Sequence, residues 1–102
     1  MPRIVHCVFW KFNADLPAGY IEGTLRPAAQ AMVGKIPGLT RVELGPPLES
    51  TKARNQGWQA MLYSELDSEA DLKVYATHEV HEDFKTLTKP YGVDIMAFDI
   101  EV

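Results

Sequence analysis

Cysteine is nearly absent: Cys7 is the single one in 102 residues. That excludes an internal disulfide and cysteine-rich zinc or disulfide frameworks, and it makes a reducing compartment, the cytoplasm, the expected setting. Basic residues are few and scattered. Ten Lys and Arg against fourteen Asp and Glu leave a formal net charge of −4. A nucleic-acid partner, which needs a basic stripe, is not expected. Long apolar runs are missing too. The longest uncharged one, residues 4–10, is too short to span a bilayer and contains His6, so no membrane partner is expected. The opening residues lack a basic leader and a small-residue cleavage site, so no secretory signal is expected. No Gly-rich phosphate loop, His-Glu-x-x-His motif, Ser-His-Asp arrangement or paired-carboxylate cleft is legible.

What is present suits one small packed domain spanning residues 1–102. Hydrophobic residues make up 46% and charged residues 24%, a balance that argues against disorder. Residues 4–12 are β-branched and aromatic and predict a strand. His6, Val8, Trp10 and Phe12 share one face of it; Val5, Cys7 and Phe9 share the other. Asp15-Leu-Pro17 looks like a helix start. Ile21, Leu25, Ala28, Met32 and Ile36 follow at helical spacing, with a kink expected at Pro27. Thr40-Arg-Val-Glu-Leu44 is a short alternating strand suited to a sheet edge. A loop from Gly45 to Gly57 is long enough to be a lid or partner contact. Residues 58–66 predict a third strand, with Trp58, Ala60, Leu62 and Ser64 on one face. Ser68-Glu-Ala-Asp71 has capping-box spacing and opens a helix to about Tyr75. Val80, Phe84, Leu87 and Tyr91 mark another helix. Residues 93–102 alternate again, with Ile95 and Ala97 on one face and Met96, Phe98 and Ile100 on the other.

The order β-α-β-β-α-α-β is the split βαβ arrangement: an α+β, ferredoxin-like fold with a four-stranded antiparallel sheet, its first and third strands central and its helices on one face. The other face would expose Val5, Cys7, Phe9, Met61, Tyr63, Met96, Phe98 and Ile100. Covering ~600 Å² of such surface at about 25 cal/mol per Å² offers on the order of 15 kcal/mol before association costs. A homodimer packed sheet to sheet is therefore expected.

The ordered set Arg3-Ile-Val-His-Cys-Val-Phe-Trp-Lys-Phe12, Gly34-Lys-Ile-Pro-Gly38, Val42-Glu-Leu-Gly45, Gly57-Trp58, Tyr75-Ala-Thr-His-Glu-Val-His81 and Phe98-Asp-Ile-Glu101 resembles the stress-responsive dimeric α/β-barrel (Dabb) domain. The resemblance implies two sheets packed face to face into a barrel with helices outside. The family includes plant stress-response proteins and olivetolic acid cyclase, a polyketide cyclase that uses no cofactor. Carried over, that likeness implies His81 as a general base and Tyr75 as its oxyanion donor, with His6 and His78 at two further histidine positions. Members commonly have His-Pro-x-His where this chain has His78-Glu-Val-His81, which loosens the turn before His81.

Each of these groups also has a plainer reading. His6 is either a core histidine with one satisfied hydrogen bond or a pocket group. Tyr75 either packs or donates its hydroxyl. His81, an imidazole able to titrate near neutrality, is a base or an interfacial residue, and His78 suits a turn or helix cap. Val8, Trp10, Leu25, Trp58, Ala60, Leu62, Ile95 and Ala97 are the expected walls of an apolar pocket between sheet and helices. A small apolar or aromatic ligand is the expected guest. No cofactor and no metal are expected: His78 and His81 lie near Glu79, Glu82 and Asp83, but such neighbours are common on helix surfaces. Cys7, facing away from His6, reads as an inert thiol.

Overall fold

The computed structural model describes residues 2–102. Strand β1 runs over Ile4–Phe12, and its residues alternate between buried and half-buried along the whole length. Strands β2 (Leu39–Gly45), β3 (Ala60–Leu66) and β4 (Gly92–Glu101) complete a sheet of order β2-β3-β1-β4. Every pairing is antiparallel. The first and third strands are central and β2 is an edge, as the distribution of apolar residues implied. The fold is ferredoxin-like.

The inner face of the sheet carries Ile4, Val8, Trp10 and Phe12 from β1 and Ala60, Leu62 and Leu66 from β3. Leu25, Ala29, Met32, Ile36, Tyr75 and Phe84 close over them in one buried cluster. The expected parity holds: His6 is on this face, and Cys7 is on the other, opposite Tyr63 and Phe98.

The first helical segment departs from expectation. Residues 14–19 form turns, and Asn13 rather than Asp15 organises them, its Oδ1 accepting the Asp15 N–H at 3.0 Å. Ile21–Leu25 is a π-helical turn in which the Arg26 N–H donates to the Ile21 carbonyl, five residues back. Pro27 has no N–H to continue an ordinary ladder, and the wide turn immediately precedes it. Helix α1 then spans only Arg26–Gln30, with Pro27 in its tolerant first turn. Met32 and Ile36 are buried from turns rather than from one long kinked helix.

Helix α2 (Glu69–Thr77) starts on the expected box. Ser68 accepts the Asp71 N–H at 3.2 Å and donates its hydroxyl to the Asp71 carboxylate at 2.9 Å. Gly38, at φ +80°, lies against the Asp71 side chain, where a Cβ would collide. Helix α3 spans Glu79–Thr88. The single extended residue between the two helices is His78, whose Nδ1 accepts the Val80 N–H at 3.0 Å and so caps α3. The loop after β2 contains a 3-10 turn, Glu49–Arg54.

The helices do not reach the last strand, and every residue of β4 is exposed. On its outer face Met96, Phe98 and Ile100 stand opposite Phe9, Cys7 and Val5; Phe98 is 63% exposed.

Leu25 is fully buried in the core. Leu25→Ala should lower the unfolding free energy by about 2–5 kcal/mol, the usual cost of a lost leucine plus its cavity. Urea denaturation checks this, and a loss well under 1 kcal/mol would mean that the π-turn segment does not hold the core.

Candidate functional site

Because α3 stops short of β4, a cavity of about 520 Å³ opens between them. Its floor is β1, through His6, Val8 and Trp10, with Leu62 of β3 beside them. Tyr75 from α2 and His81, Phe84, Lys85, Thr88 and Lys89 from or just past α3 form one wall. Val93, Ile95 and Ala97 of β4 form the other. Eight of the residues expected at a site thus meet: His6, Tyr75 and His81 as the polar groups, and Val8, Trp10, Leu62, Ile95 and Ala97 as walls.

Four expected residues are elsewhere. Leu25 is fully buried in the core and does not line the cavity. His78 spends its ring on the α3 cap. Trp58 and Ala60 line a different cavity, of about 590 Å³, bordered by Phe9, Arg26, Leu44, Pro46 and Pro47 under the loop after β2. Strand parity fails for Trp58 because regular pairing begins only at Ala60. Gln56 (φ 55°) and Gly57 (φ 87°) turn the chain just before it. Its ring instead meets Phe9 edge-on at 6.2 Å and Lys11 Nζ at 4.7 Å, both residues of the outer face.

The three polar rings form a contiguous set. Tyr75 stacks on His81 with centroids 4.2 Å apart and an interplanar angle of 27°. His6 meets Tyr75 edge-on at 5.4 Å. The His6 Nδ1–H donates to the Asp99 carboxylate. The His81 Nδ1–H donates to the Ala76 carbonyl at 3.3 Å. Carboxylate and carbonyl oxygens only accept, so Nδ1 carries a proton in both rings. Asp99 is the partner that sequence reasoning missed. It sits across the ladder from His6, so reading the polar as well as the apolar members of the last strand's inner face would have found it. Lys85 and Thr88 were also missed. They stand four and seven residues after His81, on the same side of the helix.

Electrostatics separates the roles. Burial lowers the His81 pKa below its ordinary 6.5, and the nearby Lys85 and His6 push the same way, while the Ala76 carbonyl and Glu82 oppose the shift. His81 is therefore the uncharged ring, with an available lone pair, at neutral pH. Burial, and secondarily the charge of Asp99, raises the Tyr75 hydroxyl well above its ordinary value, so it remains an O–H donor. The Cys7 thiol is likewise raised, by burial first and then by Asp99, which disfavours a thiolate nucleophile. Among the described residues no three His, Cys, Asp or Glu side chains converge as a metal-binding group would, and no helix is long and apolar enough to cross a membrane.

The model of the stress responsive A/B barrel domain matches residues 4–102. The chain belongs to this family. Solved structures agree with the A/B barrel assignment. A dimeric protein of ferredoxin-like fold from Bacteroides fragilis is 25% identical, with 98% of this chain and 96% of that one covered and a TM-score of 0.82. A Dabb family protein from Mesorhizobium loti is 17% identical over 98% and 96%, TM-score 0.74. A hydroxynitrile lyase from Passiflora edulis is 18% identical over 98% and 93%, TM-score 0.77. At such identities the last two speak for the fold alone. No curated protein matches the sequence.

His81 should titrate below 6.5 in an NMR pH series. Because the unfolded chain takes up this proton first, His81 should cost stability as pH falls from the ordinary imidazole value through the lower folded one. Unfolding free energies of wild type and His81→Ala across that window measure the effect. A wild-type curve no steeper than the variant's would mean that the ring is not held neutral by the fold.

Proposed function

We propose that this A/B barrel protein binds a small apolar or aromatic molecule in the cavity between β1, β4 and α3, and that it works as a homodimer packed through the outer sheet face. The observation that carries the reading is the Tyr75 ring held between two imidazoles on the lining of an otherwise largely apolar cavity. Apolar walls supply affinity, and a few convergent polar groups fix a guest's orientation. Tyr75 offers a donor and the His81 Nε2 offers an acceptor, which suits a guest bearing hydroxyl or carbonyl groups. No cofactor enters this reading. Residues 1–102 act as one domain in it, and the lone Cys7 supports a reducing, cytoplasmic setting. Fluorescence titration with small aromatic phenols and ketones is the direct test. Micromolar binding that is lost when Ala97→Trp fills the cavity is expected; wild-type protein that binds none of them would overturn the reading.

A second reading rests on the tautomer of His81. An uncharged imidazole with Nε2 available, stacked on a tyrosine that stays protonated, is also the equipment for cofactor-free deprotonation next to a carbonyl. In a cyclase or lyase acting on a β-polyketone, His81 Nε2 takes the acidic C–H proton. The electron pair moves onto the carbonyl oxygen, and the Tyr75 hydroxyl hydrogen-bonds the resulting enolate. Turnover should vanish in His81→Ala and fall on the order of 10²-fold in Tyr75→Phe, the usual loss for one oxyanion donor. Circular dichroism must first find both variants folded. A substrate that His81→Ala still converts at full rate would remove this mechanism; guests that bind without turnover would leave the binding reading alone.

The dimer is supported by the outer face, where Phe9, Met61, Met96, Phe98 and Ile100 lie on three adjoining strands. Similar proteins from Bacteroides fragilis and Thermobifida fusca are described as dimeric. Sedimentation at micromolar concentration should give a dimer for wild type, and monomer or aggregate for Phe9→Asp or Met61→Glu, since each places a charge at a dry interface. A monomeric wild type would sink the proposal.

A further inference from the structure

The charged groups at the cavity are unevenly placed. Besides the imidazoles, the lining includes Lys85, Lys89 and Asp94. Asp94 pairs with Lys11 in the β1–β4 ladder, one step from the inward-facing Trp10–Ile95 pair, so its side chain belongs to the outer face. Its Oδ1 accepts the Ile95 N–H at 3.0 Å. The inner-face carboxylate, Asp99, is paired with His6 toward the other end of the β1–β4 ladder, so at the Val93 end the lysines set the sign of the mouth, on a chain whose formal net charge is −4.

They also have a direction. His81, Lys85 and Lys89 follow one another at intervals of four along and just beyond α3, which places them in one row. At 1.5 Å per residue the row extends about 12 Å from the imidazole to the last lysine. Lys85 is partly neutralised by Glu82, 2.8 Å from its Nζ. Lys89 is exposed and has no carboxylate within ion-pair distance among the described residues. The apolar side chains of Val93 and Ile95, each 64% exposed, face this row across the opening.

We infer that the guest of this cavity is an elongated amphiphile. Its apolar or carbonyl-bearing end meets Tyr75 and His81, and an anionic head, a carboxylate or phosphate, is held at the mouth by Lys89 with help from Lys85. The inference rests on the cavity reading above and adds the sign and position of the head. A lysine at a helix C-terminus also complements the helix dipole, and that role alone would leave guest selectivity untouched.

The test uses the neutral fluorophore N-phenyl-1-naphthylamine as a cavity probe and displaces it with decanoate, decyl phosphate and decanol, which share one chain length and differ in the head. At low salt the two anions should displace the probe at concentrations about fivefold below decanol, the scale of one partly exposed ion pair. Lys89→Gln, and Lys85→Gln with it, should erase that advantage, so that the anions compete no better than decanol does in the same variant. Raising salt should shrink it in wild type. The order of decanoate and decyl phosphate then tells which head is preferred. If decanol competes as well as the anions, or if the glutamine variants lose only melting temperature and keep the selectivity, the anionic head is refuted and the cavity stands. If the probe does not bind wild type, or binds Ala97→Trp equally well, the cavity reading falls first.

Discussion

Across the middle of the sheet, one ladder position breaks the apolar pattern. Ser64, His6 and Asp99 lie side by side on β3, β1 and β4, on the face that is otherwise the hydrophobic core. Buried polar groups are tolerated only when paired; Ser64 and His6 are buried, and Asp99 pairs with the His6 ring from the exposed strand. The Ser64 hydroxyl donates to the His6 carbonyl at 2.8 Å, and the His6 ring donates to Asp99. The ring of a central strand is thereby held in one orientation. Tyr75 packs edge-on against it and His81 stacks on Tyr75. Without the polar row the three rings would have no common anchor.

The cavity itself follows from a mismatch of lengths. The sheet is four strands wide, and the helical layer covers three of them. Phe84 of α3 reaches Trp10 on β1, edge-on at 6.4 Å, and goes no further. The inner face of β4 is left as a wall without a roof. A closed layer would have given a better core and no site. The same shortfall explains why burial shifts His81 downward while its ring still lines open space.

Much of this was legible in the amino-acid order because strands have a period of two. The alternation of residues 4–12 tells inside from outside at every position of β1, and the same period in the third and last strands puts Leu62, Ile95 and Ala97 on the face of His6, Val8 and Trp10. What failed did so where that period does not apply. Trp58 precedes the first regular pair of β3 and follows two residues of positive φ, so counting by twos put it on the wrong side. The stripe ending at Ile36 looked like one kinked helix because turns can bury the same apolar residues that a helix would. Asp99 is not marked by the apolar alternation of the closing strand, although it shares the inner parity of Ile95 and Ala97 and stands opposite His6. His78 suits both a ligand contact and a cap on sequence alone; the fold uses its ring for the cap.

Strand β4 carries two vocabularies on alternate residues. Its odd positions, Val93, Ile95, Ala97 and Asp99, speak to the inner side, and its even ones, Met96, Phe98 and Ile100, to the opposite surface. A register shift between Lys11 and Phe12 fixes where this reading frame begins. Deleting or inserting one residue downstream of it would exchange the two sets, carrying Asp99 away from His6 and Phe98 into the cavity. Point changes in this strand can be absorbed one side at a time, but a change of length cannot. The exposed loop around Glu49–Arg54 is under no such rule. Diversification of this chain is therefore free to proceed by length there and only by substitution in β4.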